Sequence, residues 1–204
     1  MTRVLIIALC VAYASGALKA QQSLWEPSPG HTQIPIWPGA APDPQSVAGP
    51  EAMETDPTFL VAGKPMVGVT NVTRPTMTVY SPTGKNTGAA VVVFPGGGYQ
   101  MLAIDLEGSE VCDWLTPKGI TCVLLKYRVT DVGPYPKSGP YPESPMALED
   151  AQRTLGLVRL HAAERHIDRT RLECSGFQPS GFCGGCLSGA SVAIGSGIRC
   201  QARH

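Results

Sequence analysis

Two apolar stretches organise the middle of the chain, the unbroken Ala89–Phe94 (AAVVVF) and the largely apolar Ile120–Val129 (ITCVLLKYRV). Continuous rather than alternating hydrophobicity marks strands buried on both faces, as in parallel sheets. Between them, Val111, Trp114 and Leu115 fall on one helical face, so Glu107–Leu115 is expected as a helix that Pro117-Lys118-Gly119 stops. Strand, helix and strand in about 40 residues make a right-handed βαβ unit with parallel strands. Upstream, Thr76, Thr78 and Tyr80 alternate with Met77 and Val79, so Val69–Tyr80 is expected as a strand, closed by the turn cluster Ser81–Gly88. Downstream, Leu148, Ala151, Leu155, Val158 and Ala162 recur at spacings of three and four, behind Ser144 as cap and Pro145 at the first position. That predicts a long helix with an apolar face for the sheet. Glu149 and Asp150 sit early in it, where the helix dipole favours acids, and His161 and His166 sit toward its end as solvated or dipole-favoured residues. Ile167–Arg171 then leads toward a further strand.

The two ends of the chain break this pattern. Thr2-Arg3, the apolar Val4–Ala14 and the small residues Ala14-Ser15-Gly16-Ala17 have the shape of a secretory signal peptide, too short to span a bilayer. Cys10 follows Leu9 rather than a small residue, which argues against a lipid anchor. Gln21–Pro57 is rich in Pro, Gly and small polar residues and keeps no period of 2 or 3.6; it reads as an extended lead-in anchored by Trp25 and Trp37. A doubled GPYP, at Gly133 and Gly139, makes Thr130–Glu143 a rigid extended loop. The expected organisation is a signal peptide at 1–20, a Pro/Gly-rich lead-in at 21–68, a partial α/β domain at 69–172 and a distinct tail at 173–204.

Sixteen basic and 16 acidic residues cancel, so charge supplies no reason to expect nucleic acid or an anionic membrane as partner. The expected localisation is secreted or periplasmic, with no membrane contact beyond the signal peptide. Secretion permits disulfides, yet Cys112 and Cys122 lie in apolar stretches and read as small core residues. Asn71-Val72-Thr73 fits a glycosylation sequon. No cofactor and no metal are expected.

The chemistry is concentrated in Pro95-Gly96-Gly97-Gly98-Tyr99, directly after the first apolar run. Three glycines there let the backbone turn sharply and present N–H groups, which can hold the oxyanion of a tetrahedral intermediate or cradle a phosphate. The phosphate alternatives lack their signatures: no G-x-G-x-x-G opens a helix and no Gly-Lys-Ser/Thr follows. A tight turn without a ligand is the remaining reading of the glycines alone.

Four stretches carry a family resemblance: IPIWPGAAPD, VVVFPGGGY, GITCVLLKYRV and ALEDAQRTLGLVRLHAAERHID, together covering about residues 34–172. They resemble the α/β-hydrolase superfamily, in its secreted acetyl-xylan-esterase-like and feruloyl-esterase-like branch. The resemblance implies an α/β fold, the N-terminal half of an α/β-hydrolase: early antiparallel strands, then parallel strands with crossover helices, incomplete in this chain. It implies a serine carboxylic ester hydrolase acting through an acyl-enzyme on a small ester or an acetylated or feruloylated polysaccharide. By it, Gly96 and Gly97 would donate oxyanion N–H groups, Gly98 and Tyr99 would shape the pocket, and Pro95 stands where the family's HGGG-type loop has its His.

The same resemblance requires a G-x-S-x-G elbow after the next strand. The chain reads RLECSGFQPSGFCGG there, with Gln178 at the serine position and Ser180 two residues late. A glutamine cannot attack an ester. No later segment supplies the acid or the His, and His204 is no credible triad member. Half of residues 173–204 are Gly, Ser or Cys. The codons for Glu-Cys-Ser-Gly-Phe-Gln-Pro, read one base earlier, can encode Gly-Val-Leu-Gly-Phe-Ser-Ala, so the tail is read as out-of-frame translation and disordered. Its rival reading is a metal knot or redox pair built on Cys183 and Cys186 with Cys174, Cys200 and His204. The function alternative to an esterase is a secreted non-catalytic module that binds carbohydrate or protein through the lead-in and the GPYP loop. An open apolar sheet edge also leads us to expect marginal stability.

Overall fold

The computed structural model describes residues 24–44, 47, 49–61, 63–129 and 144–176. The signal-peptide segment, the GPYP loop, Gln178, Ser180 and the cysteines from Cys183 onward lie outside the described residues. The strands are β1 (Gln33–Pro35), β2 (Ala52–Val61), β3 (Lys64–Thr70), β4 (Thr76–Tyr80), β5 (Ala90–Phe94), β6 (Met101–Ala103), β7 (Thr121–Lys126) and β8 (Leu172–Gly176). The α-helices are α1 (Glu110–Leu115) and α2 (Pro145–Leu160). A five-stranded sheet runs in the order β1-β4-β7-β5-β8, and β2-β3-β6 form a separate antiparallel sheet. In the larger sheet β1, β4 and β7 pair antiparallel, whereas β7, β5 and β8 run parallel. This mixed sheet with flanking helices is consistent with part of an α/β-hydrolase-like fold.

The apolar runs behave as their composition dictates. Every residue of β5 and of β7 is buried. They lie at the centre of a core completed by Leu115, Ala147, Ala151, Leu155 and Val158 from the helices. Ser144 caps α2, its side chain accepting the Ala147 N–H. Trp25 and Trp37 both pack on the core, so the lead-in is anchored where expected.

Four expectations change. The lead-in contains strands: β1 is three residues long, and β2 carries a register shift between Thr55 and Leu60, across Asp56-Pro57. Shortness and a bulge erase the period that would have shown them. Val69–Tyr80 is two strands, interrupted by Pro75 and by Asn71 in the left-handed region at φ 54°. Asn71 is buried, so the folded chain does not present the sequon's amide. The first helix is entered through a turn of π-helix, Asp105–Ser109, and Trp114 is 49% exposed although its neighbour Leu115 is fully buried. Cys112 and Cys122 are buried, but they are not separate core residues: a disulfide joins them, tying α1 to β7.

The acids at the start of α2 do more than complement a dipole. Asp150 is fully buried and accepts the backbone N–H of Arg128 at 2.9 Å, its Nε at 2.9 Å and the Trp37 indole N–H at 2.8 Å. Arg128 also donates to Glu149 at 2.9 Å and to the carbonyls of Met146 and Pro42. Removing one partner of such a pair strands a buried charge, whereas replacing both with apolar groups is close to neutral. Asp150→Ala is therefore expected to cost about 3–5 kcal/mol, measured as a lower urea midpoint, and Asp150→Leu with Arg128→Met markedly less.

Candidate active site

The carboxyl ends of parallel strands, where backbone turns outward into loops, are the usual place for a site in an open α/β sheet. Here β5 ends at Phe94 directly beside Gly176, the last residue of β8. The glycine loop thus leaves the sheet beside Gly176, the last described residue of the chain. The structure gathers Gly96, Gly97 and Gly98 on one loop between β5 and β6. It keeps Gly96 buried and exposes Gly97 and Gly98.

Local sequence explains the loop's shape. Gly97, Gly98 and Tyr99 take φ of 135°, 66° and 63° in succession. At Gly97 a Cβ would overlap the carbonyl of Met101, so no other residue fits this turn. Tyr99 is the uncommon case, a buried aromatic in the left-handed region. Strain of this kind persists only where surrounding contacts over-determine the conformation. Those contacts are present: the Tyr99 ring meets the edge of Tyr127 at 6.5 Å between centroids, and the Gly97 carbonyl accepts the N–H groups of Gln100 at 3.2 Å and Met101 at 3.3 Å.

The base of the loop is held by residues that sequence reasoning missed. The Tyr127 hydroxyl donates to the Pro95 carbonyl at 2.5 Å, and the Gly96 N–H donates to the Glu107 carboxylate at 2.7 Å. In this structure, then, the Gly96 donor points at a protein carboxylate. Tyr127 carried one signal, a polar tip at the carboxyl end of an apolar strand. Glu107 carried none, because its position depends on the π-turn. Burial holds the Glu107 carboxyl above its ordinary range, with the Gly96 N–H pulling it back. On β8, burial likewise raises Glu173, whose Oε2 is buried without a hydrogen-bond partner. Among the described residues no group of three or more His, Cys, Asp or Glu could hold a metal ion. No helix among them is long and apolar enough to cross a membrane.

No protein-family model matches this chain. Over 102 residues it is 29% identical to an acetylxylan esterase of Xylanibacter ruminicola, covering 50% of this chain and 19% of that protein. It is similar to the crystal structure of an acetyl ester-xyloside bifunctional hydrolase from Caldicellulosiruptor lactoaceticus, with 28% identity, 74% of this chain and 43% of that one covered, and a TM-score of 0.48. A thermophilic esterase from the planctomycete Thermogutta terrifontis follows at 23% identity, covering 50% of this chain and 35% of that one, with a TM-score of 0.41. The chain thus spans about a fifth of the curated relative and less than half of each of these solved structures.

Two outcomes follow from the site. Gly97→Ala must either move Met101 or abandon φ 135°, and is expected to lower stability by about 1–3 kcal/mol, read by thermal melting. The raised carboxyls of Glu107 and Glu173 hold their protons more tightly in the folded than in the unfolded chain. Their contribution to stability is therefore complete below the ordinary value of 4.5 and is lost as pH rises through the raised values. Urea midpoints measured across that window should fall less steeply with rising pH in Glu107→Gln than in the parent chain.

Proposed function

We propose that Pro95–Tyr99 is the oxyanion loop of a serine carboxylic ester hydrolase of the secreted acetyl-xylan-esterase-like and feruloyl-esterase-like branch, whose substrates are acetyl or feruloyl esters of plant polysaccharide. The observation that carries the reading is the pairing of Phe94 with Gly176. It sets the glycine loop next to the point where the chain proceeds to the elbow position, as acyl transfer needs nucleophile and oxyanion donors around one carbon. The similarity to an acetylxylan esterase supports the ester class. In this reading Gly97 keeps the donor role expected of Gly96 and Gly97, the Gly96 N–H being engaged by Glu107, while Gly98 and Tyr99 shape the pocket and the N-terminal half of the hydrolase fold supplies the loop.

The chain as written does not complete the reaction, because Gln178 stands where the nucleophile belongs. Residues 173–204 are read as out of frame. The unpartnered Oε2 of Glu173 supports this: a carboxylate beside Val91 in a parallel pair is a poor strand residue, and the alternative frame puts glycine there. A second reading, a secreted non-catalytic module binding carbohydrate or protein, is favoured by a cavity of about 660 Å³ between the lead-in and the sheet edge, lined by Trp37, Pro38, Arg74 and Met146 among others.

Three measurements test this. Pure protein is expected to show no turnover of an acetyl ester; turnover abolished by a serine-directed inhibitor would overturn the inactive reading. Nucleotide sequence over codons 172–179 is expected to restore Gly-Val-Leu-Gly-Phe-Ser-Ala when one base is returned. A frame that does not yield the serine strand sinks the esterase reading and leaves the binding module. Replacing Glu173 with valine is expected to raise the urea midpoint by about 1 kcal/mol in stability.

A further inference from the structure

Glu107 owes its place to an irregularity. Asp105–Ser109 forms a single turn of π-helix in which the Ser109 N–H reaches the Ile104 carbonyl at 3.0 Å. Such turns re-aim the side chains they carry and recur at functional sites. Gly108 lets the turn lie flat: a Cβ there would come within 2.9 Å of Leu124 Cδ1 and 3.3 Å of Pro95 Cγ. A larger residue would have to displace the Leu124 side chain, so glycine keeps the turn close to Pro95.

The consequence is a clamp on consecutive backbone groups. Tyr127 holds the Pro95 carbonyl, Glu107 holds the Gly96 N–H, and the Ala103 N–H of β6 holds the Gly96 carbonyl at 2.9 Å. Three different elements therefore fix one short stretch of backbone. The Glu107 bond is the one that carries charge, and charge-assisted bonds to backbone N–H are roughly twice as strong as neutral ones.

We propose that Glu107 is the positioning residue of the glycine loop, its carboxylate fixing the Gly96 peptide and thereby the direction of the exposed Gly97–Gly98 backbone. This deepens the oxyanion reading and rests on it for its catalytic meaning; the clamp itself is measurable without substrate. The charged groups on the elements packed against the π-turn are Asp105 in the turn, Glu110 and Asp113 on α1, Lys64 on β3 and Lys126 on β7. Asp105 accepts the N–H groups of Val67 and Leu106, Lys64 lies 3.7 Å from Glu110, and Lys126 pairs with Glu51 at 2.5 Å. Among the described residues no salt bridge engages Glu107, so Gly96 reports on its carboxylate rather than on a competing cation.

The test is nuclear magnetic resonance of the full chain, following the Gly96 amide through a pH titration and by hydrogen exchange. In the parent chain the Gly96 amide shift is expected to move with a single midpoint above the ordinary glutamate value. Glu107→Gln, whose amide oxygen can accept the same bond, is expected to keep protection within about threefold and to lose the titration. Glu107→Ala is expected to speed Gly96 exchange by about tenfold or more while the amides of Val92 and Val93 stay protected, a tenfold change corresponding to about 1.4 kcal/mol. Gly96 that still titrates in Glu107→Gln, or exchanges equally in parent and Glu107→Ala, overturns the proposal. If Glu107→Ala does not fold, parent against Glu107→Gln decides alone. A coding frame without the serine strand removes the esterase reading and leaves the Gly96 titration untouched, so the two failures are separable.

Discussion

A single buried ion pair holds three parts of this fold in register. Arg128 extends from the carboxyl end of β7, Asp150 from the first turns of α2, and both are nearly or fully shut away from water. Desolvating such a pair is tolerable only when every remaining donor and acceptor finds a partner. Here the partners come from the lead-in: the Trp37 indole and the Pro42 carbonyl complete the set, and Arg153 on α2 adds a bond to the Ile36 carbonyl at 3.0 Å. The irregular N-terminal segment is thus part of the electrostatics of the core. Its fixed path also forms one wall of the cavity beside the sheet edge.

The glycine loop depends on this frame at one remove. Tyr127, which holds Pro95, is the residue before Arg128, so the ion pair that fixes the end of β7 also fixes the hydroxyl beneath the loop. From the other side the π-turn brings Glu107. The loop's own glycines supply shape and exposure, and the neighbouring strands supply rigidity.

How much of this the sequence disclosed follows from the range of each interaction. β5, β7, α1 and α2 announce themselves because burial on both faces, or along one helical face, leaves a local pattern in their own residues. The loop's glycines are visible for the same local reason. β2 was hidden because Asp56-Pro57 breaks its alternation and its order comes from pairing with β3. Asp150 looked like an acid at a helix start, since nothing within ten residues reveals that Trp37 and Arg128 converge on it. Cys112 and Cys122 looked like small core residues because their spacing fits a helix and a strand that only tertiary packing brings together. Glu107 could not be found without the extra residue of the π-turn, a feature no periodicity encodes.

The bond from Trp37 to Asp150 spans 113 residues of chain, and that from Arg153 to Ile36 spans 117. On a ribosome adding about 5–20 residues per second, Trp37 emerges roughly 6–23 s before the carboxylate it must meet. Within that interval β1 can pair with β4, but the Trp37 indole lacks its carboxylate partner. The bonds that tie Trp37 and Ile36 to α2 can form only after that helix has been made, so an early-synthesised segment completes part of its packing late.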